Sequence, residues 1–166
     1  AYAEMSAEKT GRANFADRVM AALRRVPRHK YVPAELRPMA YVDSPLPIGF
    51  DKTISQPFIV ALMTDLLDLQ PADKVLEIGT GLGYQSAVLA ELAGKVFTIE
   101  YIEELAQEAR NRLVRSGYRN IEFRVGDGAQ GWPQHAPFDK IIVTAAPELV
   151  PGPLISQRQR GGRMVV

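Results

Sequence analysis

Val75-Leu76-Glu77-Ile78 is a short apolar run that stops at Gly79-Thr80-Gly81-Leu82-Gly83, and Tyr84 to Leu92 follows with Val88, Leu89 and Leu92 at helical spacing. A strand that turns through glycines straight into a helix is the opening of an α/β unit. The rhythm then repeats. Val96 to Ile99 reads as a strand, and Ile102, Leu105, Ala109 and Leu113 define a helix that Gly117 is placed to end. Ile121–Val125, 140–143 and 163–166 read as three further strands. Strands alternating with helices pair in parallel through right-handed crossovers. The strand positions are apolar almost throughout, as helices on both faces require. The predicted fold class is therefore α/β, a doubly wound and mostly parallel sheet.

Ahead of this core, Phe15, Val19 and Leu23 predict an amphipathic helix over 14–26. Pro27, Pro33 and Pro38 break the chain into a loop-rich stretch, and residues 41–55, with Pro45, Pro47 and Gly49, read as an ordered loop. Ile59, Met63, Leu66 and Leu67 mark a second helix that ends before Pro71. With 166 residues the chain suits one domain. Residues 1–58 supply helix and loops, and 59–166 supply the α/β core. The last strand would open at Arg163 and sit at an unprotected sheet edge, so the chain reads as truncated, with the missing part expected to complete the sheet and cover one side of the site.

Composition removes several kinds of chemistry. There is no cysteine, which excludes disulfides, thiol nucleophiles and thiolate-bound zinc. His29 and His135 are far apart without ligand spacing, so no metal site is expected. Lys and Arg number 20 against 19 Asp and Glu, which gives no long-range field for a nucleic-acid backbone. No apolar run approaches the ~20 residues that span a bilayer. Arg24, Arg25, Arg28 and Lys30 cluster locally and read as a solvated helix end and loop.

The candidate site lies at the carboxyl ends of the strands, where open α/β sheets bind ligands. Glycines there let backbone approach a ligand closely. The dinucleotide spacing G-x-G-x-x-G fails, because its third position is Tyr84. The observed spacing is Gly79, Gly81, Gly83, with Glu77 two residues ahead. A carboxylate beside the loop is unwelcome to a pyrophosphate but suits S-adenosylmethionine, which carries an ammonium and a sulfonium. Glu100 closes the second strand, where an acid accepts hydrogen bonds from ribose hydroxyls. Asp127-Gly128 follows the third strand and can meet an adenine ring. Each feature alone also fits a plain turn or a solvated strand end. Their coincidence at one rim predicts a nucleoside cofactor.

Asp43-Ser44-Pro45-Leu46-Pro47-Ile48-Gly49 leads into Thr53-Ile54-Ser55-Gln56-Pro57. Together with Val75 to Gly81, Gly126-Asp127-Gly128 and Phe138-Asp139-Lys140-Ile141-Ile142-Val143, these segments resemble the protein-L-isoaspartate O-methyltransferase family. The resemblance runs from Phe15 to Val166, and its most specific part is Thr53 to Pro57. It implies a Rossmann-like class I methyltransferase fold and a soluble cytoplasmic monomer that uses S-adenosylmethionine. The implied reaction methylates the free α-carboxylate of L-isoaspartyl residues in damaged proteins or peptides, after which the ester collapses to a succinimide. Ser55 matches the family's active-site serine. Ile54, Ser55, Glu77, Gly79, Thr80, Gly81, Gly83, Glu100, Asp127 and Gly128 are the implied cofactor-binding positions.

By residue type alone, Ser55 fits better as the N-cap of the following helix; the resemblance reverses that preference, and one serine could do both jobs. Asp139, after a loop, reads as structural. Gln157-Arg158-Gln159-Arg160 departs from the apolar-Lys-Pro pattern usual in the family before Gly161-Gly162. Two other readings stay open: methylation of a different carboxylate, such as one on a peptide precursor, and a cofactor-binding fragment without turnover.

Overall fold

The computed structural model describes residues 15–144 and 148–166. Helix α1, Asp17–Arg25, buries Val19 and Ala22, and its N-cap Ala16 donates its N–H to Asp65 Oδ1 at 2.8 Å. The expected start at Asn14 lies outside the described residues. Residues 41–55 are more than a loop. Strand β1, Leu46–Gly49, pairs antiparallel with β2, Lys52–Ile54, as a two-stranded hairpin. Helix α2, Pro57–Leu67, ends on Asp68 in the left-handed region, ahead of Pro71 as predicted.

From there the predicted alternation is found. Strand β3 is Lys74–Ile78, helix α3 Tyr84–Leu92, strand β4 Lys95–Glu100, helix α4 Glu103–Arg115 and strand β5 Ile121–Val125. Strand β6 is Phe138–Val143, helix α5 Gly152–Gln157 and strand β7 Arg158–Val165. The last strand thus opens at Arg158, earlier than expected, and shifts register against β6 between Phe138 and Lys140. The sheet has the order β5-β4-β3-β6-β7 with every pair parallel, a Rossmann-like arrangement.

Alternation along the strands divides the core. Val75, Val96 and Ile142 face the side covered by α3 and α4, with Leu89 of α3 and Leu113 of α4 in the same cluster. Leu76, Phe97, Ile99, Ile141 and Val143 face the other side, with Phe138 and Leu154 of α5. Helix α3 is buried on nearly all sides because α1 and α2 pack over it. Asp139 is structural, as expected: its Oδ2 accepts the Lys74 N–H at 2.8 Å and ties the start of β3 to β6.

Arg28 overturns the reading of the basic cluster. It is only 1% exposed. Its guanidinium donates to the carbonyls of Ala40 and, at 2.8 Å, Ser55, and lies 5.1 Å from the Tyr84 ring centroid. Burying an arginine is tolerable where carbonyls and a ring face replace water. The sequence carries no signal that separates Arg28 from its exposed neighbours. Among the described residues, no helix is long and apolar enough to cross a membrane.

Candidate functional site

A cavity of about 540 Å³ opens at the carboxyl ends of β3, β4 and β6. That size falls in the usual range for small-molecule sites. Ile78 and Gly79 form one wall, Glu100 and Tyr101 a second, and Asp127 to Ala129 a third, with Ile48 and Thr53 of the hairpin and Leu154 of α5 closing it. A smaller recess of about 70 Å³ adjoins it and is lined by Ile54, Ser55, Thr80 and Tyr84, among others. Five residues, Ile48, Thr53, Gly79, Gly81 and Thr144, line both spaces and make them one continuous site.

The loop after β3 is held from several directions. Gly79 donates its N–H to the Ile99 carbonyl at 2.9 Å, and Arg112 of α4 donates to the Leu82 carbonyl at 2.7 Å. Glu100 accepts the Gly81 N–H on Oε1 at 2.8 Å and the Ile102 N–H on Oε2 at 3.0 Å. Each carboxylate oxygen has a second lone pair, so Glu100 can brace the loop and still accept from hydroxyls in the cavity. Asp127 Oδ1 accepts the Ala129 N–H at 2.9 Å, which turns the chain at the cavity wall. A Cβ on Gly128 would lie 2.3 Å from Ile78 Cγ2, so only glycine lets this wall approach β3.

Two expected site positions, Glu77 and Gly83, line neither space, and Ser55 lines the recess without capping the helix. Glu77 does not line the cavity. Strand alternation turns it toward α3, where it is 0% exposed, and the adjacent Ile78 takes the cavity wall instead. Its Oε1 accepts from the Ser86 hydroxyl and, at 2.8 Å, from Thr98 Oγ1. Burial pushes the Glu77 carboxyl up to about 7; the hydrogen bonds from Ser86 and Thr98 oppose the shift and the charge of Glu100 adds to it. Gly83 lies outside the cavity as well. It starts α3 with φ 90°, and a Cβ there would meet Leu113 Cδ1 at 3.0 Å, so it serves close packing of α3 on α4. Ser55 does not cap α2. The N-cap is Gln56, and the Phe58 N–H goes to Asp43 Oδ1 at 3.0 Å. The Ser55 hydroxyl is left to the recess.

Ile54, Ser55 and Thr80 are gathered in the recess, and Gly79, Gly81, Glu100, Asp127 and Gly128 around the main cavity. Sequence reasoning missed Thr144, Tyr101 and the hairpin residues Ile48 and Thr53. Thr144 follows β6 and holds the end of β3 through contacts to the carbonyls of Ile78 at 3.0 Å and Gly79 at 2.9 Å. Its position directly after the fourth strand of the pattern is the signal that could have found it.

Several known proteins are similar to this chain. One, named protein-L-isoaspartate O-methyltransferase 1, from Polaromonas sp. strain JS666, is 64% identical over 156 residues, 94% of this chain and 66% of that protein. Another, from Picosynechococcus sp., is 56% identical over 89% of this chain and 67% of its own length. A solved protein-L-isoaspartate O-methyltransferase, 32% identical, superimposes with a TM-score of 0.83 over 96% of this chain and 52% of its own. A protein from Plasmodium falciparum solved with S-adenosyl-L-homocysteine shares the fold, with a TM-score of 0.81 over 99% of this chain and 81% of its own at 21% identity. The chain therefore spans about two thirds of the length of the first relative and about half that of the first solved one. Residues 3–166 match the sequence profile of Protein-L-isoaspartate(D-aspartate) O-methyltransferase, so the chain belongs to that family.

Proposed function

We propose that this chain transfers a methyl group from S-adenosylmethionine to the free α-carboxylate of L-isoaspartyl residues in damaged proteins or peptides. The observation that carries the reading is the joined pair of spaces. The larger has Glu100 and Asp127 on its walls, and the smaller has a serine hydroxyl not used by the helix cap. The residues present fit the cofactor. Glu100 would accept from the ribose hydroxyls, and Asp127-Gly128 would border the adenine, where the glycine leaves room for the ring. The glycine loop and Thr80 would face the ammonium end.

When bound, the cofactor supplies an electrophilic methyl group on a sulfonium. A carboxylate is already ionised at neutral pH, so no strong general base is needed. The new bond joins the carboxylate oxygen to the methyl carbon while the carbon–sulfur bond breaks and its electron pair stays on sulfur. In-line placement is the chief demand on the protein, and such positioning supplies several kcal/mol. Ser55 would orient the incoming carboxylate by donating its hydroxyl. Arg28 would set Ser55 in turn, through the Ser55 carbonyl. The methyl ester then closes to a succinimide without help from the enzyme, and hydrolysis returns some normal aspartate. The same reading has the chain acting as a monomer in the cytoplasm, on proteins rather than on nucleic acid or membrane.

The test supplies cofactor labelled in its methyl group together with paired peptides that differ only in an isoaspartyl or an aspartyl linkage. Label is expected in the isoaspartyl peptide alone, and Ser55→Ala is expected to lower that rate by about tenfold or more, as loss of an orienting hydrogen bond does. Equal labelling of both peptides, or of neither by the folded chain, would refute the reading.

A further inference from the structure

Glu77 is a fully buried carboxyl that touches neither space of the site, yet it stands at the end of a directed chain of hydroxyls. Thr98 Oγ1 donates to Glu77 Oε1 at 2.8 Å, and Thr98 Oγ1 lies 2.6 Å from Thr80 Oγ1. A carboxylate only accepts, and a threonine hydroxyl has one proton. The Thr98 proton is committed to Glu77, so the Thr80 proton must be committed to Thr98. Thr80 Oγ1 is then left with acceptor capacity alone, and Thr80 is one of the residues that line the recess with Ser55. Ser86 of α3 also donates to Glu77 Oε1 and fixes the carboxyl against that helix. Glu77 Oε2 is buried with no hydrogen-bond partner.

We propose that Glu77 is a positioning residue that acts through Thr98 to hold Thr80 as a pure acceptor, which tunes the recess for the ammonium group of the cofactor. The proposal rests on reading the cavity as the S-adenosylmethionine site. It explains why a carboxyl is kept in an apolar setting two residues from the loop without lining the cavity. When Glu77 is ionised, the hydroxyls all point inward and the recess favours a cation. When Glu77 Oε1 carries the proton, the order can reverse, Thr80 can turn its own proton outward, and the recess loses its preference. Burial brings that exchange to about pH 7. Among the described residues, Glu100 at the end of β4 is the ionisable group whose charge reaches Glu77. The positions that face it are neutral: Ser86 on α3, Thr98 on β4, Thr80 in the loop, and Ile142, its register partner on β6.

The experiment is calorimetric titration of the chain with S-adenosylmethionine between pH 5.5 and 8.5, beside Thr98→Val, Thr98→Ser and Glu77→Gln. The pH limits are about one and a half units to either side of the transition. The unmodified chain is expected to bind about tenfold more tightly at the upper limit, the factor that one unit of coupling gives. Thr98→Val keeps both carboxyls but cuts the relay, and should bind weakly with a flat profile. Thr98→Ser restores the hydroxyl and should restore the slope, and Glu77→Gln should be flat. A flat profile for the unmodified chain with binding intact overturns the relay alone. So does a normal slope in Thr98→Val. Absence of binding by the folded chain at every pH overturns the cofactor reading and the relay together.

Discussion

A methyl group at position 128 would sit 2.3 Å from Ile78 Cγ2, and Ile78 is both the end of β3 and a wall of the cavity. Something must move, and whichever side moves disturbs the site. Gly128→Ala is therefore expected to cost about 1–3 kcal/mol, the usual penalty for overpacking, and to weaken cofactor binding by about tenfold. Gly152→Ala is the matched control. Position 152 has open space around it and begins a helix, so its melting temperature and affinity should stay within the small range of surface changes, about 0.5 kcal/mol. Thermal melts and calorimetry on the two variants make the comparison. At this scale the sequence was informative where a residue's placement at the cavity follows from its position after a strand, as with Glu100 and Asp127. It was misleading for Glu77, because loop proximity pointed to the ligand while strand alternation aimed the side chain at α3. Arg28 was illegible, since the carbonyls of Ala40 and Ser55 that make its burial possible come from distant parts of the chain.

Helices α1 to α4 and the parallel strands were legible because each is long enough to show its period. The β1–β2 hairpin was not. Its strands are only 4 and 3 residues long, one contains Pro47, and the register shifts between Pro47 and Gly49. Its turn residues, Phe50 and Asp51, sit at φ 54° and 56° with no glycine at either position, so the usual hairpin signal is missing. Positive φ on such residues costs on the order of 1–3 kcal/mol each. Asp51→Gly removes one such strain, and glycine's extra freedom in the unfolded chain returns part of the gain, up to about 1 kcal/mol. The net expectation is stabilisation of about 1 kcal/mol, a rise of roughly 2–4 °C in melting temperature for a chain this size. A lowered melting temperature would show that Asp51 makes a contact worth more than its strain. Helix α5 was also missed, since at 6 residues, with Gly152 and Pro153 at its start, it shows no full period.

Across the whole molecule, the cavity joins segments that are distant in sequence. Ile48 and Thr53 come from the hairpin, Ile78 and Glu100 from the sheet, Ala129 from the turn after β5 and Leu154 from α5. The sheet brings these segments together, and α5 is tied directly to the stretch after β5 where Gln157 donates to the Gln130 carbonyl at 2.9 Å. A ligand that touches all of them stabilises the folded chain by mass action, about 2.7 kcal/mol at a concentration one hundred times its dissociation constant. The effect should also be uneven. The opposite rim is held by contacts that a ligand cannot touch: Lys74 N–H to Asp139, Lys74 Nζ to the His135 carbonyl, and the charges of Lys95 and Glu122 near the start of β4 and β5. Amides that exchange by local opening should therefore slow in the hairpin and the 127–129 turn when S-adenosylhomocysteine is added, and stay unchanged around residues 133–135. Hydrogen-exchange mass spectrometry resolves the two regions. Equal slowing at both rims would mean that the ligand acts only through global stability. Slowing at residues 133–135 alone would place the ligand away from the cavity, because the sheet itself is too tightly packed to relay a local change from one rim to the other without altering the strands between them.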